Sequence, residues 1–251
     1  MPDSEVAWQL DGEIAHLKCG PLVGRVELDG LGTRFVVNTW NGELADAFGV
    51  LVTAGPGPRP AILEVGERYV RGADYVATYA ATRENPIVPH FYWRAKYHAA
   101  LQAVQIEMVM SVQTDLLDSQ PEASINSLAM ESRLFWTESL LERRFEELKG
   151  SEPTRQIERG SSGEHLFVFR SERLGLSYAQ LVHPTDFVAA HVHSKDGKPW
   201  LVESTLFTDR LEKGVIRRGR ICGWFLPAEN DLEVAVELAR QFVEEPLPLT
   251  T

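Results

Sequence analysis

Over most of its length the chain alternates hydrophobic and polar residues, which is the pattern of β-strands with one buried and one solvated face. The longest example is QAVQIEMVMSVQT, residues 102–114, whose apolar positions are Val104, Ile106, Met108, Met110 and Val112. A second example is PHFYWRAKYH, residues 89–98, in which Phe91, Trp93, Ala95 and Tyr97 alternate with His90, Tyr92, Arg94, Lys96 and His98. We predict a strand at each segment and place the methionines in the core, because methionine fills irregular gaps there.

Glycine and proline divide the remaining strand-like segments. Residues 5–53 predict short strands separated by turns, since they contain several glycines and the pair Asn41-Gly42. Residues 67–80, ERYVRGADYVATYA, predict one strand with a bulge at Gly72. Residues 54–60, AGPGPRP, predict a loop, because alternating Gly and Pro suit neither a helix nor a central strand. Further strands are predicted between residues 165 and 226.

Two segments have the spacing of a helix instead. In ESLLERRFEELK, residues 138–149, apolar residues recur at helical intervals among charges, which predicts a short amphipathic helix ending at Gly150. A second helix is predicted at about residues 230–245, with an apolar stripe and Pro246 just beyond its end. Asn230 and Glu233 have the spacing of a capping box at its start.

Many strands with only two helices, and no regular alternation between them, argue against a doubly wound parallel sheet. We predict a mainly β protein: a large antiparallel β-sandwich of the supersandwich kind, with one short mid-chain helix and a C-terminal amphipathic helix. Residues 1–251 are expected to form one domain, since sandwiches of this length often do.

The formal net charge of -11 argues against a nucleic-acid partner, because phosphate backbones attract clustered cations. One basic segment departs from this balance, namely RLEKGVIRRGR, residues 210–220. It predicts either a strand with a solvated basic face or a pocket for an anionic ligand.

The sequence also bears on the cellular compartment and the oligomeric state of the protein. Cys19 and Cys222 are the only cysteines, which suggests reduced, buried thiols. The first residues do not resemble a secretory signal, and no segment is apolar over the roughly 18 residues that a membrane span requires. We therefore expect a soluble, cytoplasmic, acidic protein with no membrane partner, and the sequence leaves a homo-oligomer open.

The segment FVAAHVHSKDGKPWLVESTLF, residues 187–207, carries the most distinctive candidate chemistry. In a strand, His191 and His193 point to the same face, roughly 6–7 Å apart. If Asp196-Gly197 is a two-residue turn, His191 is opposite Val202 and Glu203 faces the other way. If residues 195–197 form a three-residue loop, His191 is opposite Leu201 and Glu203 lies diagonally across on the same face.

Three roles for this pair of histidines remain open. They could be an exposed polar strand face, or two ligands of a divalent transition metal, which would be the only cofactor that the sequence suggests. They could also act with Glu203 as catalytic acid and base, because histidine exchanges protons near neutral pH. Enzymes of the sugar-mutarotase type, which are large β-sandwiches, work in this last manner, and the chain resembles them in predicted architecture only.

The leading functional prediction is recognition of a small polar ligand, plausibly carbohydrate-like, on a sheet face near these histidines. Sugar sites use aromatic rings as platforms and polar side chains for the hydroxyls. The predicted ligand-binding residues are Trp200, Arg94, His90, Trp40 and Arg217. The alternatives are an enzyme that uses His191, His193 and Glu203, and a structural or assembly protein.

Overall fold

The computed structural model of the chain describes residues 6–29, 32–54, 64–83, 86–150, 154–160, 163–194 and 199–246. In these ranges the strands, in chain order, are β1 (Val6–Asp11), β2 (Ile14–Cys19), β3 (Leu22–Asp29), β4 (Gly32–Trp40), β5 (Glu43–Leu44), β6 (Phe48–Ala54), β7 (Glu64–Arg71), β8 (Asp74–Ala80), β9 (Ile87–His98), β10 (Ala103–Thr114), β11 (Ala123–Ala129), β12 (Arg133–Thr137), β13 (Glu146–Leu148), β14 (Arg155–Glu158), β15 (Leu166–Ser171), β16 (Leu176–Val182), β17 (Ala189–Ser194), β18 (Trp200–Phe207) and β19 (Arg217–Pro227). A short 3-10 helix, Ala99–Leu101, joins β9 to β10, and the α-helix α1 is Asp231–Glu244.

The strands form two antiparallel sheets. The first sheet has the order β1-β2-β3-β4-β6-β11-β18-β17-β14, with β5 paired to β4. The second sheet has the order β13-β12-β15-β16-β19-β10-β9-β8-β7. The predicted fold class, a large antiparallel β-sandwich with a C-terminal helix, is therefore confirmed.

The core lies between the two sheets and follows the alternation of the strands. All five apolar positions predicted for β10, including Met108 and Met110, are buried in it. Phe91, Trp93 and Ala95 of β9 are buried beside them, as predicted. This core contains residues from strands of both sheets, as a single domain over residues 1–251 would require. The assignment of one domain stays a prediction.

Helix α1 packs on the outer face of the second sheet, and its start is fixed by a buried carboxylate. Asp231 is fully buried, accepts hydrogen bonds from the Arg170 guanidinium, and accepts one from Ser177 Oγ at 2.5 Å. The predicted capping box is wrong: Asn230 has a φ of 58° and makes no side-chain capping bond within the described residues. The sequence located the helix correctly but not the group that anchors it.

The predicted mid-chain helix at residues 138–149 is also wrong. Residues 138–145 form turns, with Arg143 at a φ of 54°, and Glu146–Leu148 form β13. Leu148 is opposite Leu134 of β12 and is buried, whereas Leu141, which belonged to the predicted apolar stripe, is 80% exposed. Pairing with β12 has overridden the local helical spacing.

The predicted single strand at residues 67–80 is a hairpin. β7 and β8 pair with each other, and Gly72 lies in the turn at a φ of 61°. Of the predicted loop at residues 54–60, Ala54 ends β6 and the remainder falls outside the residues that the structure describes. Cys19 and Cys222 are both buried thiols, as expected. No helix in the described part of the chain is long and apolar enough to cross a membrane.

Candidate functional site

Helix α1 covers only one side of the second sheet's outer face. Its buried apolar side chains pack over β15, β16 and β19, and they are Ala235, Val236, Leu238, Ala239 and Phe242. The rest of this outer face, formed by β7, β8, β9, β10 and the first residues of β19, is here named the open face. Its side chains point away from the core because they occupy the alternate positions of strands whose other positions face inward.

The open face contains a cavity of about 210 Å³. Its lining residues are Tyr69, Arg71, Val76, His90, Phe91, Tyr92, Ser111, Val112, Gln113, Ile216 and Arg218. A second cavity of about 200 Å³ shares Gln113 and Ile216 with the first, and its wall includes Asp115. Each cavity alone is smaller than a typical small-molecule site of roughly 300–1,000 Å³, and the shared residues place the two side by side.

The strand register explains why these side chains meet. Ser111 of β10 is opposite His90 of β9 on one side and opposite Arg218 of β19 on the other. Tyr92 and Tyr69 lie in the next row along, both paired to the same residue of β8. The cavity therefore presents two phenol rings, an imidazole, a hydroxyl and a guanidinium on one surface.

Tyr92 is held in place by an ion pair beside the cavity. Arg94 donates a hydrogen bond from Nη2 to the Tyr92 hydroxyl at 2.5 Å and another from Nε to Oδ1 of Asp74 at 2.9 Å. The Arg94 guanidinium also lies 5.4 Å from the centre of the Tyr92 ring. Burial is the main cause that raises the pKa of Tyr92 above its usual value, so the hydroxyl stays protonated at neutral pH.

His90 supplies an uncharged imidazole to the same cavity. It is half-buried, and its Nε2 lies 3.4 Å from Nε2 of Gln113, an amide nitrogen that donates to it. Burial lowers the pKa of His90 below its ordinary value of 6.5, which favours the neutral ring at pH 7. With Nε2 as the acceptor, Nδ1 carries the proton and can donate it in a hydrogen bond to a ligand oxygen.

The predicted histidine pair lies elsewhere, on the outer face of the first sheet. His191 of β17 is directly opposite Glu203 of β18, and both are partly exposed. Their Cβ atoms are thus roughly 4.5–5.5 Å apart on one face. Gln156 of β14 and Asn126 of β11 extend the same row on either side, so the row carries four polar side chains.

Neither of the two registers predicted for this hairpin is correct. The first paired His191 with Val202 and the second paired it with Leu201, whereas the observed partner is Glu203. Residues 195–198, which hold the predicted turn, lie outside the described residues. Asp196-Gly197 was compatible with several loop lengths, and each change of one residue moves Glu203 to the opposite face.

His193 has a different neighbour from His191. Its Nδ1 lies 3.0 Å from the Thr154 hydroxyl oxygen, and the two imidazole rings are 6.2 Å apart between centroids. In the part of the chain that the structure describes, no three His, Cys, Asp or Glu side chains are grouped so that they could hold a metal ion. His191 and His193 are thus two ligands at most, and the described residues add no third.

The predicted ligand-binding residues are scattered. Trp40 and Trp200 are each 5% exposed and belong to the core, so neither offers a ring to a ligand on the outer surface. Arg217 is exposed and lies 4.0 Å from Asp209 without lining the cavity. Of the five residues, His90 lines the cavity and Arg94 reaches it through Tyr92.

The sequence analysis missed Tyr69, Arg71, Ser111, Gln113 and Arg218. Ser111 and Gln113 were recognisable as the polar face of the β10 alternation, and Arg218 lay in the basic segment with a predicted anionic pocket as one alternative. Tyr69 and Arg71 could not be placed, because the hairpin turn at Gly72 was taken for a bulge.

Comparison with known proteins gives the fold but no family. No protein-family model matches the chain, and no curated protein matches its sequence. Among solved structures, the chain is similar to a putative aldose 1-epimerase from Klebsiella pneumoniae subsp. pneumoniae, with 8% identity and a TM-score of 0.51 over 96% of this chain and 90% of that one. It is also similar to the alpha-N-acetylgalactosaminidase NagBb from Bifidobacterium bifidum in complex with GalNAc, with 12% identity and a TM-score of 0.57 over 91% of this chain.

A third similar structure is a TPR-domain containing protein from Parabacteroides distasonis, with 6% identity and a TM-score of 0.54 over 85% of this chain. The chain spans only 46% of that protein and 38% of NagBb. At such identities the similarity shows the fold alone, which is a large antiparallel β-sandwich of two sheets.

Proposed function

We propose that the protein binds a small carbohydrate-like ligand in the cavity of the open face. The observation that carries the proposal is the composition of that cavity: Tyr69, which is 40% exposed, offers a ring face, the largely buried Tyr92 adds to the aromatic wall, and His90, Ser111 and Gln113 offer hydrogen-bonding groups. Sugar rings have this mixed character, with C–H surfaces that pack on aromatic rings and hydroxyls that need polar partners. The fold shared with proteins described as a putative aldose 1-epimerase and a GalNAc-bound glycosidase supports it by analogy.

The site proposed from the sequence, around His191 and His193, is the competing location for the same function. The two sites are on different sheets, so variants separate them. We would titrate the protein with glucose, galactose and N-acetylgalactosamine, using saturation-transfer NMR and calorimetry. Tyr69→Ala and His90→Ala should each weaken binding by about tenfold, which corresponds to about 1.4 kcal/mol.

The double variant His191→Ala/His193→Ala should leave that binding unchanged, and so should Leu44→Ala, which removes an exposed apolar side chain from the first sheet. Loss of binding in the double variant alone would move the site to the first sheet. If the parent protein binds neither these neutral sugars nor a charged sugar such as glucuronate or glucose 6-phosphate, the proposed function is contradicted.

A second candidate function is acid–base catalysis by His191 with Glu203, and their direct pairing on adjacent strands favours it. A carboxylate next to an imidazole can hold it in position for proton transfer at a sugar carbon or hydroxyl. The test is the rate of anomer exchange of glucose, followed by polarimetry. A rate above that of buffer, abolished in Glu203→Gln and kept in His90→Ala, would favour this reading; no rate enhancement by the parent protein would contradict it.

A further inference from the structure

The charge of the cavity differs from the charge of the chain. The chain has 36 acidic against 25 basic residues, yet the described lining of the cavity includes Arg71 and Arg218 and no aspartate or glutamate. Nearby carboxylates are Asp74, which is opposite Arg71 on the adjacent strand and pairs with Arg94 beside Tyr92, and Asp115 in the wall of the adjoining cavity. The lining itself therefore carries cationic groups only, in a protein that is acidic overall.

The two arginines also differ from those surface arginines that are paired with a carboxylate. Arg94, Arg133 and Arg210, for example, each form an ion pair with a carboxylate at 2.9 Å or less. Among the residues that the structure describes, neither Arg71 nor Arg218 has a carboxylate within the 4.0 Å that defines such a pair. Both residues are exposed, so their side chains are accessible to a ligand.

The strand register places the two cations on opposite sides of the polar floor. Arg218 begins β19 and is paired with Ser111, which in turn is paired with His90. Arg71 ends β7 at the other side of the open face, two residues after Tyr69. A guanidinium binds a carboxylate or a phosphate with two parallel hydrogen bonds, and the Ser111 hydroxyl can donate a third.

From these observations we infer that the ligand of this cavity carries an anionic group, a carboxylate or a phosphate, which Arg218 binds beside Ser111 and which Arg71 attracts from across the cavity. This inference rests on the proposed function, because it assigns a charge to the same carbohydrate-like ligand. The phenol rings and His90 then contact the neutral part of the ligand, and Arg218 contacts its charged part. The site thus selects acidic or phosphorylated sugars over neutral ones.

The test compares four probes on the full chain: glucose, glucuronate, glucose 6-phosphate and inorganic phosphate, each titrated by calorimetry at two salt concentrations. We expect at least one of the two charged sugars to bind about tenfold or more tightly than glucose, and its affinity to fall as salt is raised. Which of the two binds more tightly distinguishes a carboxylate from a phosphate ligand.

Variants assign the effect to the arginines. Arg218→Gln should weaken the charged sugar by about tenfold and Arg71→Gln by a smaller factor, about threefold, while the affinity for glucose changes less than twofold in both. Arg217→Gln is the matched control, because Arg217 is the exposed neighbour of Arg218 in the chain but does not line the cavity. It should change neither affinity, and thermal unfolding of all three variants checks that the fold is intact.

The possible failures are distinguishable. If glucose binds as tightly as both charged sugars, or if the arginine variants leave the charged sugars unaffected, this inference is overturned and the proposed function stands. If inorganic phosphate binds as tightly as glucose 6-phosphate, with the same dependence on Arg71 and Arg218, the anion site is supported and the carbohydrate function is contradicted. If none of the four probes binds, both are contradicted.

Discussion

Arg220 and Glu107 form an ion pair that is almost completely removed from solvent, with 3% and 2% of their side chains exposed. Arg220 donates to Oε1 of Glu107 from Nε at 3.0 Å and from Nη2 at 2.9 Å. It also donates from Nη1 to the backbone oxygen of Glu245 at 3.1 Å, and its guanidinium lies over the ring of Phe242. This pair therefore joins β10 and β19 to the end of α1, at the boundary between the covered and the open parts of the sheet.

We predict that Glu107→Gln strongly destabilises the protein, because it leaves the Arg220 charge buried without a partner. The expected loss in the free energy of unfolding is about 3–5 kcal/mol, measured by urea denaturation. Glu147→Gln is the control, because Glu147 pairs with Arg133 at the surface, and it should cost less than about 1 kcal/mol. Equal losses in the two variants would contradict the role of burial.

Asp231 gives a second prediction, which separates the observed anchor of α1 from the predicted one. Asp231→Ala leaves the buried Ser177 hydroxyl and the Arg170 guanidinium without their acceptor, so we expect a loss of about 3 kcal/mol or more in unfolding free energy. Glu233→Ala removes the exposed partner of the predicted capping box and should cost no more than about 0.5 kcal/mol. Chemical denaturation of both variants measures the difference, and the reverse order would restore the capping box.

The stability of the protein should fall on mild acidification, in part because of His165. This imidazole is 4% exposed, lies 4.5 Å from the Phe187 ring between centroids, and has its Nε2 3.0 Å from the Arg159 backbone oxygen. Burial lowers the pKa of His165 from its usual value of 6.5, so the unfolded chain takes up a proton more readily than the folded one. The contribution is present above about pH 6.5 and is lost as the pH falls from there toward the folded pKa.

The measurement is the urea midpoint as a function of pH between about 7.5 and 5. His165→Gln should flatten this dependence, whatever its effect on stability at pH 7.5, and His16→Gln, at an exposed position, should not. A steeper dependence in His165→Gln would contradict the assignment.

Two glycines lie in the turns that flank β2, and we predict that replacing each by alanine lowers the free energy of unfolding by a different amount. Gly12 and Gly20 have φ values of 59° and 51°, which disfavour any residue with a Cβ. A Cβ at Gly12 would meet nothing within 4 Å, whereas one at Gly20 would lie 2.5 Å from Cδ2 of Tyr97. We expect Gly12→Ala to cost about 1 kcal/mol and Gly20→Ala to cost about 1–3 kcal/mol more, as measured by thermal unfolding.

The parts of the fold that the sequence predicted are those where one face of a strand is buried over many residues. Val104 to Val112 fix the inner face of β10 without reference to any other strand, and this is why the core residues of β9 and β10 were assigned correctly. The opposite face was expected to be solvated throughout, whereas Gln105 and Glu107 are buried. The same alternation pointed to His90 and Arg94. The alternation does not specify which strands lie side by side in the sheet. The order of the strands decides which polar side chains meet.

The wrong predictions have the same physical origin. The register of β17 against β18 depends on a loop that Asp196-Gly197 does not determine, and the fate of residues 138–149 depends on whether β12 offers a partner. Trp40 and Trp200 were proposed as platforms from their chemistry, yet their positions on the inward alternation place them in the core. Pairing between distant segments decided each case, and local spacing carries no information about it.

The limited reach of α1 has a consequence for how this protein could change over time. Under the helix, a substitution on the outer face of the second sheet disturbs a packed layer, so those positions are constrained by folding. Around the cavity of the open face, no described element packs over side chains such as Ser111 and Gln113, and the neighbouring inward-facing residues hold the backbone in place. One sheet thus combines a frame constrained by packing with a surface on which new recognition can arise by single substitutions, without a new fold and without loss of the old one.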